Sequence, residues 1–546
     1  MDESRQKLFQ RTRMVGLLTL CSRVLGLIRD AAMARQFGNG VIMDAFTVAF
    51  RAPNLARQLF GEGALSTAFL PVFLRDIEQH GRETAFKTAS AVIAAAGVAL
   101  LGLVIVAEAL LLALWLMLDL GAEGQLLLGL LASLTPYLLM VCLLAQTCAV
   151  MQGLGQFTAP AWFPVMLNVL WIGAIFLAGA LFETDEARIY AISWSIVVIG
   201  AVQFGLSIPT LRQIGFRFDW DWSSGRQRVR EIATVIVPVL LGLSVTQLNT
   251  LCDSLLAWGL TVPSDGSDSG WLSSYPLQEG TAAALYLGQR MYQFPLGVFG
   301  AALGTVIFPL LAIHAERKQF DLFRDDLTRG LKLVVAVGVP ASVGLAVIAS
   351  QLTSVLFLRG EFDQHDAAQT SLVIVMYALG VWAACGLLIM NRAFYALGDR
   401  RSPLRIGLIA VVVNLALNLT LVWSLRGAGL ALASAVTAML QAVASAWLIS
   451  RRVERFRWNP LMLVFVQTAI ASAAMWGMCV FTQDLLKDAG SSAFGLFSIV
   501  SAGAATYLVS ATLLGLREPI QFLRRRRSAG EGQGTEPSPD SGGDRS

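Results

Sequence analysis

The chain has 546 residues, of which 55% are hydrophobic and only 14% are charged, and its mean hydropathy is +0.63. A soluble domain carries about 25% charged residues, so this composition excludes an ordinary soluble globular protein. The net charge of +4 is explained by basic loops next to anionic membrane lipids and gives no reason to expect a nucleic-acid partner.

Uncharged runs long enough to cross a bilayer recur along the whole chain. A spanning helix needs about 20 apolar residues, and in hydrocarbon each segment must satisfy its own backbone hydrogen bonds. We therefore expect an all-α polytopic membrane protein with about fourteen transmembrane helices. In chain order the predicted spans are 14–37, 44–74, 88–118, 125–152, 161–182, 188–211, 231–260, 282–312, 330–357, 368–397, 403–425, 428–450, 459–483 and 491–516.

Lysine and arginine are unevenly distributed between the predicted connections. The N-terminus, the stretch after the last span and the connections after spans 2, 6, 8, 10 and 12 are basic, whereas those after odd-numbered spans hold almost none. Only the uncharged connection after span 4 departs from this alternation. Because basic loops stay on the cytoplasmic side, both termini are predicted to be cytoplasmic. Arg23 and Arg29 interrupt the first apolar run, which argues against a cleavable signal peptide.

A short internal repeat suggests two six-helix lobes around a central cavity. FGEGALSTAFLP (60–71) resembles FGAALGTVIFP (299–309) with one gap, and the spans that carry them have the same orientation. Such repeats place a substrate site between the halves. The predicted division is an N-terminal lobe (1–213), a cytoplasmic linker (214–230), a C-terminal lobe (231–450), two extra helices (451–516) and a basic, then disordered, cytoplasmic tail (517–546).

Several charged side chains lie inside the first two spans, with one arginine in span 8. A charge at mid-bilayer costs about 2.5–3.5 kcal/mol, so such residues face a cavity, a partner or a substrate. Arginine stays charged when desolvated, and its planar fork matches phosphate oxygens bidentately, which predicts a site for a multiply charged anion such as a diphosphate. These residues are Arg23, Arg29, Asp30, Arg35, Asp44, Arg51, Arg57, Glu62 and Arg290.

Plainer interpretations exist for part of this set. Arg35 and Asp44 flank FGNG near a predicted membrane surface, where local pairing or snorkelling would suffice. Arg29 and Asp30 could neutralise one another, and Arg57 could pair with Glu62. The remaining cations, Arg23, Arg51 and Arg290, have no evident local partner in the sequence, which favours a cavity.

Two long motifs closely resemble the MurJ (MviN) lipid II flippase family of the multidrug/oligosaccharidyl-lipid/polysaccharide (MOP) exporter superfamily. They are SRVLGLIRDAAMARQFG (22–38) and DAFTVAFRAPNLARQLFGEGALSTAFLPVF (44–73). Further matches are QRMYQFPLGVFGAALGTVIFPLL (289–311), LFLRGEFD (356–363) and NRAFYALGDRRSP (391–403). The resemblance extends over essentially the whole chain.

The resemblance implies a transporter, not an enzyme, in the bacterial cytoplasmic (inner) membrane. Its substrate would be lipid II, the undecaprenyl-diphosphate-linked disaccharide-pentapeptide used in peptidoglycan biosynthesis, and contacts with the cell-wall synthesis machinery are compatible with it. The family's cavity arginines fall on Arg23, Arg29, Arg57 and Arg290, with acidic partners at Asp30 and Asp44. Arg51 is basic in relatives, and the last two spans resemble a groove for the lipid tail.

Some family members bind sodium, and the matching oxygens here are those of Asp253, Asn414, Asn418 and Ser434. Ordinary interhelical hydrogen bonds are the alternative explanation for these polar residues. The chain has no G-x-x-x-x-G-K-[ST] motif, so a sodium ion, a proton or the membrane potential is the expected energy source.

Two other functions remain open. A polyprenyl-phosphate enzyme would need histidines or carboxylates beside phosphate-binding arginines, but the three histidines lie in loops or at span ends. The six cysteines all fall within spans and lack metal-ligand spacing. A drug exporter, or a flippase for another polyprenyl-linked glycan, would share the cationic cavity and is disfavoured only by the motifs.

Overall fold

The computed structural model describes residues 2–59, 64–219, 222–262, 275–297, 301–453, 456, 458–486 and 492–516. Every element named over these residues is an α-helix, so the predicted all-α class is confirmed. In chain order the helices are α1 (Asp2–Phe37), α2 (Val41–Ala56), α3 (Ala64–Met117), α4 (Ala122–Gly153), α5 (Thr158–Leu181), α6 (Asp185–Gln213), α7 (Trp222–Gly259), α8 (Thr281–Pro295), α9 (Ala301–Glu316), α10 (Phe320–Phe357), α11 (Gln364–Ala378), α12 (Val381–Ala396), α13 (Arg401–Arg452), α14 (Asn459–Leu485) and α15 (Ala493–Leu513).

Among the described residues, eight helices are long and apolar enough to cross a membrane, or nine if the bent pair α11 and α12 is one span. The chain is therefore a multi-pass membrane protein. In this count α3 and α13 are each one helix. Each nevertheless contains a kink at a non-helical residue, Gly81 (φ 83°) in α3 and Arg426 (φ 53°) in α13, that separates two helices. Both residues lie at predicted connections between spans. The total of fourteen spans stays a prediction.

The outward faces of the helices are apolar. In α3 only 11% of the most apolar window is buried, and Val106 and Leu116 are 65% and 75% exposed. Apolar surface of this extent would be an aggregation hazard in water, whereas lipid solvates it. The helices are thus held by their buried faces, and their outer faces suit a hydrocarbon solvent.

The first compact unit comprises residues 1–288, 356–373 and 407–433. Its core lies among α1, α2, α4, α5 and α6 and includes an aromatic cluster at Trp171. The rings of Phe46 and Phe50 meet Trp171 edge-on, with centroids 6.1 and 5.1 Å away. Edge-to-face pairs of this kind add stability beyond their buried area. They fix α2 against α5 beside the charged part of α1.

The second compact unit comprises residues 289–355, 374–406 and 434–546. Buried residues of α10, α14 and α15 share a core that includes Met475, Cys479 and Ile499. The Tyr507 hydroxyl donates to the Ala336 carbonyl, and Gln483 Nε2 donates to the Val347 carbonyl at 3.1 Å. These bonds attach the two last helices to α10. The predicted division into lobes, linker and tail stays a prediction.

A polar cluster joins α3 to the start of α7, next to the bend at Gly81. Asp76 is fully buried and accepts from Thr88 Oγ1 at 2.8 Å and from Arg228 Nη2 at 2.9 Å. Thr88 lies beyond the bend, so the carboxylate connects both parts of α3. Arg228 also donates to Glu231. A buried carboxylate satisfied in this way stabilises the arrangement of all three segments.

We expect Asp76→Asn to lower the thermal stability of the purified protein. The change removes the charge that Arg228 and Thr88 satisfy, which costs about 1–3 kcal/mol for a buried hydrogen-bonded group. A shift of the unfolding midpoint in detergent measures the effect. Glu83→Gln is the matched control. The Glu83 carboxylate pairs with Lys87 but its side chain is 87% exposed, so its replacement should not shift the midpoint measurably. Equal midpoints for Asp76→Asn and wild type would contradict the structural role.

Candidate functional site

Arg29 and Asp30 form a buried ion pair in α1. Arg29 is 6% exposed and Asp30 is 4% exposed. Arg29 Nε and Nη2 both donate to Asp30 Oδ1, at 3.1 and 2.6 Å. Consecutive helix positions do not face each other, so this pairing depends on groups outside α1 that hold the guanidinium in place. The mutual neutralisation of the two charges therefore does occur, within a larger cluster.

Two residues of α5 hold the Arg29 guanidinium. Its carbon lies 4.3 Å from the centroid of the Trp171 ring, a cation–π contact. Arg29 Nη1 donates to Asn168 Oδ1 at 3.1 Å. Asn168 Nδ2 in turn donates to the Ser22 and Pro164 carbonyls at 3.1 and 3.0 Å. Asn168 thus ties the guanidinium to the backbone of both α1 and α5.

Tyr286 of α8 contacts Arg51 as well as the Arg29–Asp30 pair. The Tyr286 hydroxyl accepts from Arg29 Nη2 at 3.3 Å and donates to Asp30 Oδ1 at 3.2 Å. The Arg51 guanidinium carbon lies 5.7 Å from the centroid of the Tyr286 ring. Two arginines and one aspartate therefore meet around one tyrosine. We call Arg29, Asp30, Arg51 and Tyr286 the arginine cluster.

Asp44 is 2% exposed and caps the start of α8. Its Oδ2 accepts from the Gly280 backbone N–H at 2.8 Å, and its Oδ1 accepts from that of Ala283 at 2.7 Å. The first N–H groups of a helix lack internal partners, and a carboxylate is favourable there. Neither snorkelling nor pairing with a side chain describes this residue. Asp44 attaches α8 to α2.

The turn between α1 and α2 is held by the segment around α11. The Asn39 backbone N–H donates to Asp366 Oδ2 at 2.9 Å, and Asn39 Nδ2 donates to Thr370 Oγ1 at 2.9 Å. The Arg35 carbonyl accepts from the Glu361 N–H at 3.0 Å, while the Arg35 residue as a whole is exposed. Gly280 (φ +79°) lies so close to Asn39 that a Cβ would collide with its backbone. The α1–α2 turn, α8 and α11 therefore pack closely.

The other arginines predicted for the cavity are Arg23, Arg57 and Arg290. Arg23 is exposed on α1, and Arg57 Nη2 donates to Asn54 Oδ1 at 3.0 Å. Arg290 follows Tyr286 by four residues in α8 and belongs to the second compact unit. Glu62, the suggested partner of Arg57, lies outside the described residues.

Three of the four residues suggested for a cation lie together. Asp253, Asn414 and Asn418 are buried, and Asn418 Nδ2 donates to Asp253 Oδ1 at 2.6 Å and to Asn414 Oδ1 at 2.9 Å. The two oxygens thus accept from the same amide nitrogen, which brings one carboxylate and two amide side chains within hydrogen-bond distance. This donor set fits a small monovalent cation. Ser434 belongs to the second compact unit.

Glu108 lies elsewhere, in α3. It borders two clefts of about 290 and 320 Å³ whose other lining residues are mostly apolar. Its Oε1 atom is shielded and has no hydrogen-bond partner among the described residues. The described residues that line the two clefts include no arginine, lysine or histidine. Glu108 is therefore not part of the arginine cluster.

Three partners of Arg29 escaped prediction from the sequence. Asn168 and Trp171 lie in an uncharged span, and Tyr286 lies in span 8. The sequence did contain an indication, because polar or amphipathic side chains inside a span often form hydrogen bonds with a buried charged group. Asn168 and Trp171, three apart, share a helix face.

The family model described as "Lipid II flippase MurJ" matches residues 33–500. A relative from Vibrio cholerae named "Probable lipid II flippase MurJ" is 32% identical over 539 residues, which cover 94% of this chain and 97% of that protein. The "Lipid II flippase MurJ" of Burkholderia cenocepacia is 28% identical, with 95% of this chain and 99% of the relative covered.

Solved structures show the same fold. "Lipid II flippase MurJ, inward closed conformation" superposes with a TM-score of 0.73 at 21% identity, over 91% of this chain and 98% of the other. An inward-facing multidrug resistance MATE family transporter of the MOP superfamily gives a TM-score of 0.62 at 14% identity, over 79% and 94%. The match of the family model over most of the chain, supported by these relatives, shows that the chain belongs to the lipid II flippase MurJ family.

Proposed function

We propose that this protein flips lipid II from the cytoplasmic to the periplasmic leaflet of the bacterial inner membrane, with both termini in the cytoplasm. The observation that carries the proposal is the arginine cluster, in a chain that belongs to this family. The cluster places a second arginine beside a buried guanidinium, and guanidinium groups attract the negative charge of a phosphate. The diphosphate of the substrate supplies the opposite charge.

The substrate's diphosphate is bound by arginines because only a fork of N–H donors matches its oxygens bidentately. In this proposal Arg29 and Arg51 are the central ligands. Arg23, Arg57 and Arg290 bind the headgroup at other stages of its passage, and Asp30 and Asp44 hold Arg29 and α8 in place. The polyprenyl tail stays in lipid, beside α14 and α15.

The internal repeat supports this assignment of Arg51 and Arg290. Arg51 precedes Phe60 by nine residues, and Arg290 precedes Phe299 by nine, so the two arginines occupy the same place in the repeated stretch. A π-helical turn also lies between each arginine and its copy of the repeat, at 57–59 and at 296–297. Such turns are frequent at functional sites. The two lobes move by alternating access in this account.

Asp253, Asn414 and Asn418 are proposed as ligands of a coupling sodium ion, with Ser434 as the fourth. The hydrogen bonds that bring Asp253 Oδ1 and Asn414 Oδ1 to the Asn418 amide support it. A proton or the membrane potential is the alternative energy source, since one charge moving through 100 mV is worth about 2.3 kcal/mol.

We expect Arg29→Gln, Arg51→Gln and Arg290→Gln to abolish growth of cells that depend on this protein, with normal abundance in the membrane. The glutamine side chain is polar but uncharged, so it cannot neutralise a diphosphate. Complementation after depletion of the cell's own flippase, with immunoblots for abundance, measures the effect. Arg→Lys should rescue poorly because an ammonium lacks the fork.

Arg188→Gln is the matched control for these variants. Arg188 is paired with Asp185 at the start of α6 and should tolerate the change. Normal growth of cells that carry Arg29→Gln would remove that residue from the substrate site. If the protein were a drug exporter, wild-type protein in proteoliposomes would not move lipid II from one leaflet to the other.

For the cation site we expect sodium to stimulate lipid II transport in proteoliposomes, and Asp253→Asn to remove the stimulation. The variant keeps the shape of the side chain but loses the only carboxylate of the group. Thr420→Ala, an exposed position on α13, is the control. Transport that is indifferent to sodium in the wild type, or still stimulated in Asp253→Asn, would refute the assignment.

A further inference from the structure

The donors of Arg29 are nearly all in use. An arginine has five N–H groups. Asp30 accepts from Nε and Nη2, Tyr286 accepts from Nη2, and Asn168 accepts from Nη1. These four contacts leave one N–H, on Nη1. A bidentate grip on a phosphate needs two donors, so one present partner must leave before the substrate's diphosphate can be held.

The partners of Arg29 differ in how firmly they are fixed. Asp30 is its neighbour in the chain, and Asn168 is anchored by two backbone carbonyls. Tyr286 lies on α8 instead, and its bonds to Arg29 and Asp30 are 3.3 and 3.2 Å long, longer than the two bonds between Arg29 and Asp30. Long bonds to a group on another helix are the easiest to exchange, since hydrogen bonds weaken with distance.

We propose that Tyr286 is a positioning residue whose hydroxyl occupies the Arg29 Nη2 donor until the substrate's diphosphate takes that place. The inference rests on the proposed function and deepens it, because it assigns the step at which the site becomes competent to bind. When Tyr286 withdraws, Nη1 and Nη2 each offer one N–H, and these are the two donors that a bidentate phosphate contact needs. Asp30 keeps the Nε side, so Arg29 stays neutralised and oriented while the fork opens.

The ring of Tyr286 has a separate role. It lies under the Arg51 guanidinium, and this contact needs the aromatic face but not the hydroxyl. Tyr286→Phe therefore removes the hydroxyl that contacts Arg29 and Asp30 and keeps the aromatic face of the cation–π contact. A residue that merely supported the fold would, on the same change, leave anion affinity the same or weaken it. The sign of the effect thus separates the two roles.

The test is the affinity of the full-length protein in nanodiscs for farnesyl diphosphate, a short diphosphate lipid. We expect Tyr286→Phe to bind it about tenfold more tightly than the wild type, which corresponds to about 1.4 kcal/mol. Tyr190→Phe, which removes a hydroxyl from α6 in the same compact unit, should bind like the wild type. In the Arg29→Gln background, Tyr286→Phe should have no effect, because the donor it frees is gone.

Each outcome decides a separate point. Unchanged or weaker binding by Tyr286→Phe, while Arg29→Gln still loses affinity, overturns the role of Tyr286 and leaves the proposed function standing. Full affinity in Arg29→Gln, or no binding by the wild type, overturns both. A gain in affinity that persists without Arg29 would also refute the inference, because the hydroxyl would then act through another group.

Discussion

The cost of burying a guanidinium in a membrane protein governs the first compact unit. Arg29 cannot lose its proton, so α1 can hold it only if other groups replace its hydration. Asp30 supplies the charge, Trp171 an aromatic face, Asn168 an anchored carbonyl and Tyr286 a hydroxyl. These partners come from α1, α5 and α8, and satisfying one side chain therefore fixes the packing of three helices.

The same constraint connects stability to function. If every partner held Arg29 equally tightly, the guanidinium could not exchange a partner for the substrate. The bonds of Tyr286 to Arg29 and Asp30 are longer than those of Arg29 to Asp30 and Asn168. Asp44 holds the start of the same helix through two backbone N–H groups. The helix α8 is thus attached to α1 and α2 by a firm cap at one end and a weaker contact within it, an arrangement that suits a transporter whose helices must separate.

Much of the fold follows from the sequence, because hydropathy and loop charge report on the bilayer directly. The all-α class and membership in the family were predictable, and so was the cost of Arg29 and Asp30. The partners were harder to predict, since Asn168, Trp171 and Tyr286 carry no charge and lie far from Arg29 in the chain. The capping role of Asp44 was missed because a cap on a helix more than 230 residues later leaves no local pattern. Gly81 and Arg426 lie at predicted connections, and at each a kink at a non-helical residue separates two helices.

The central claim is that the arginine cluster is where the substrate's diphosphate binds. A structure of the protein with a lipid II analogue bound tests it most directly. We expect phosphate oxygens within about 2.7–3.2 Å of Arg29 Nη2, with the Tyr286 hydroxyl displaced from that atom. A diphosphate bound elsewhere, with Arg29 still held by Asp30, Asn168 and Tyr286, would contradict it.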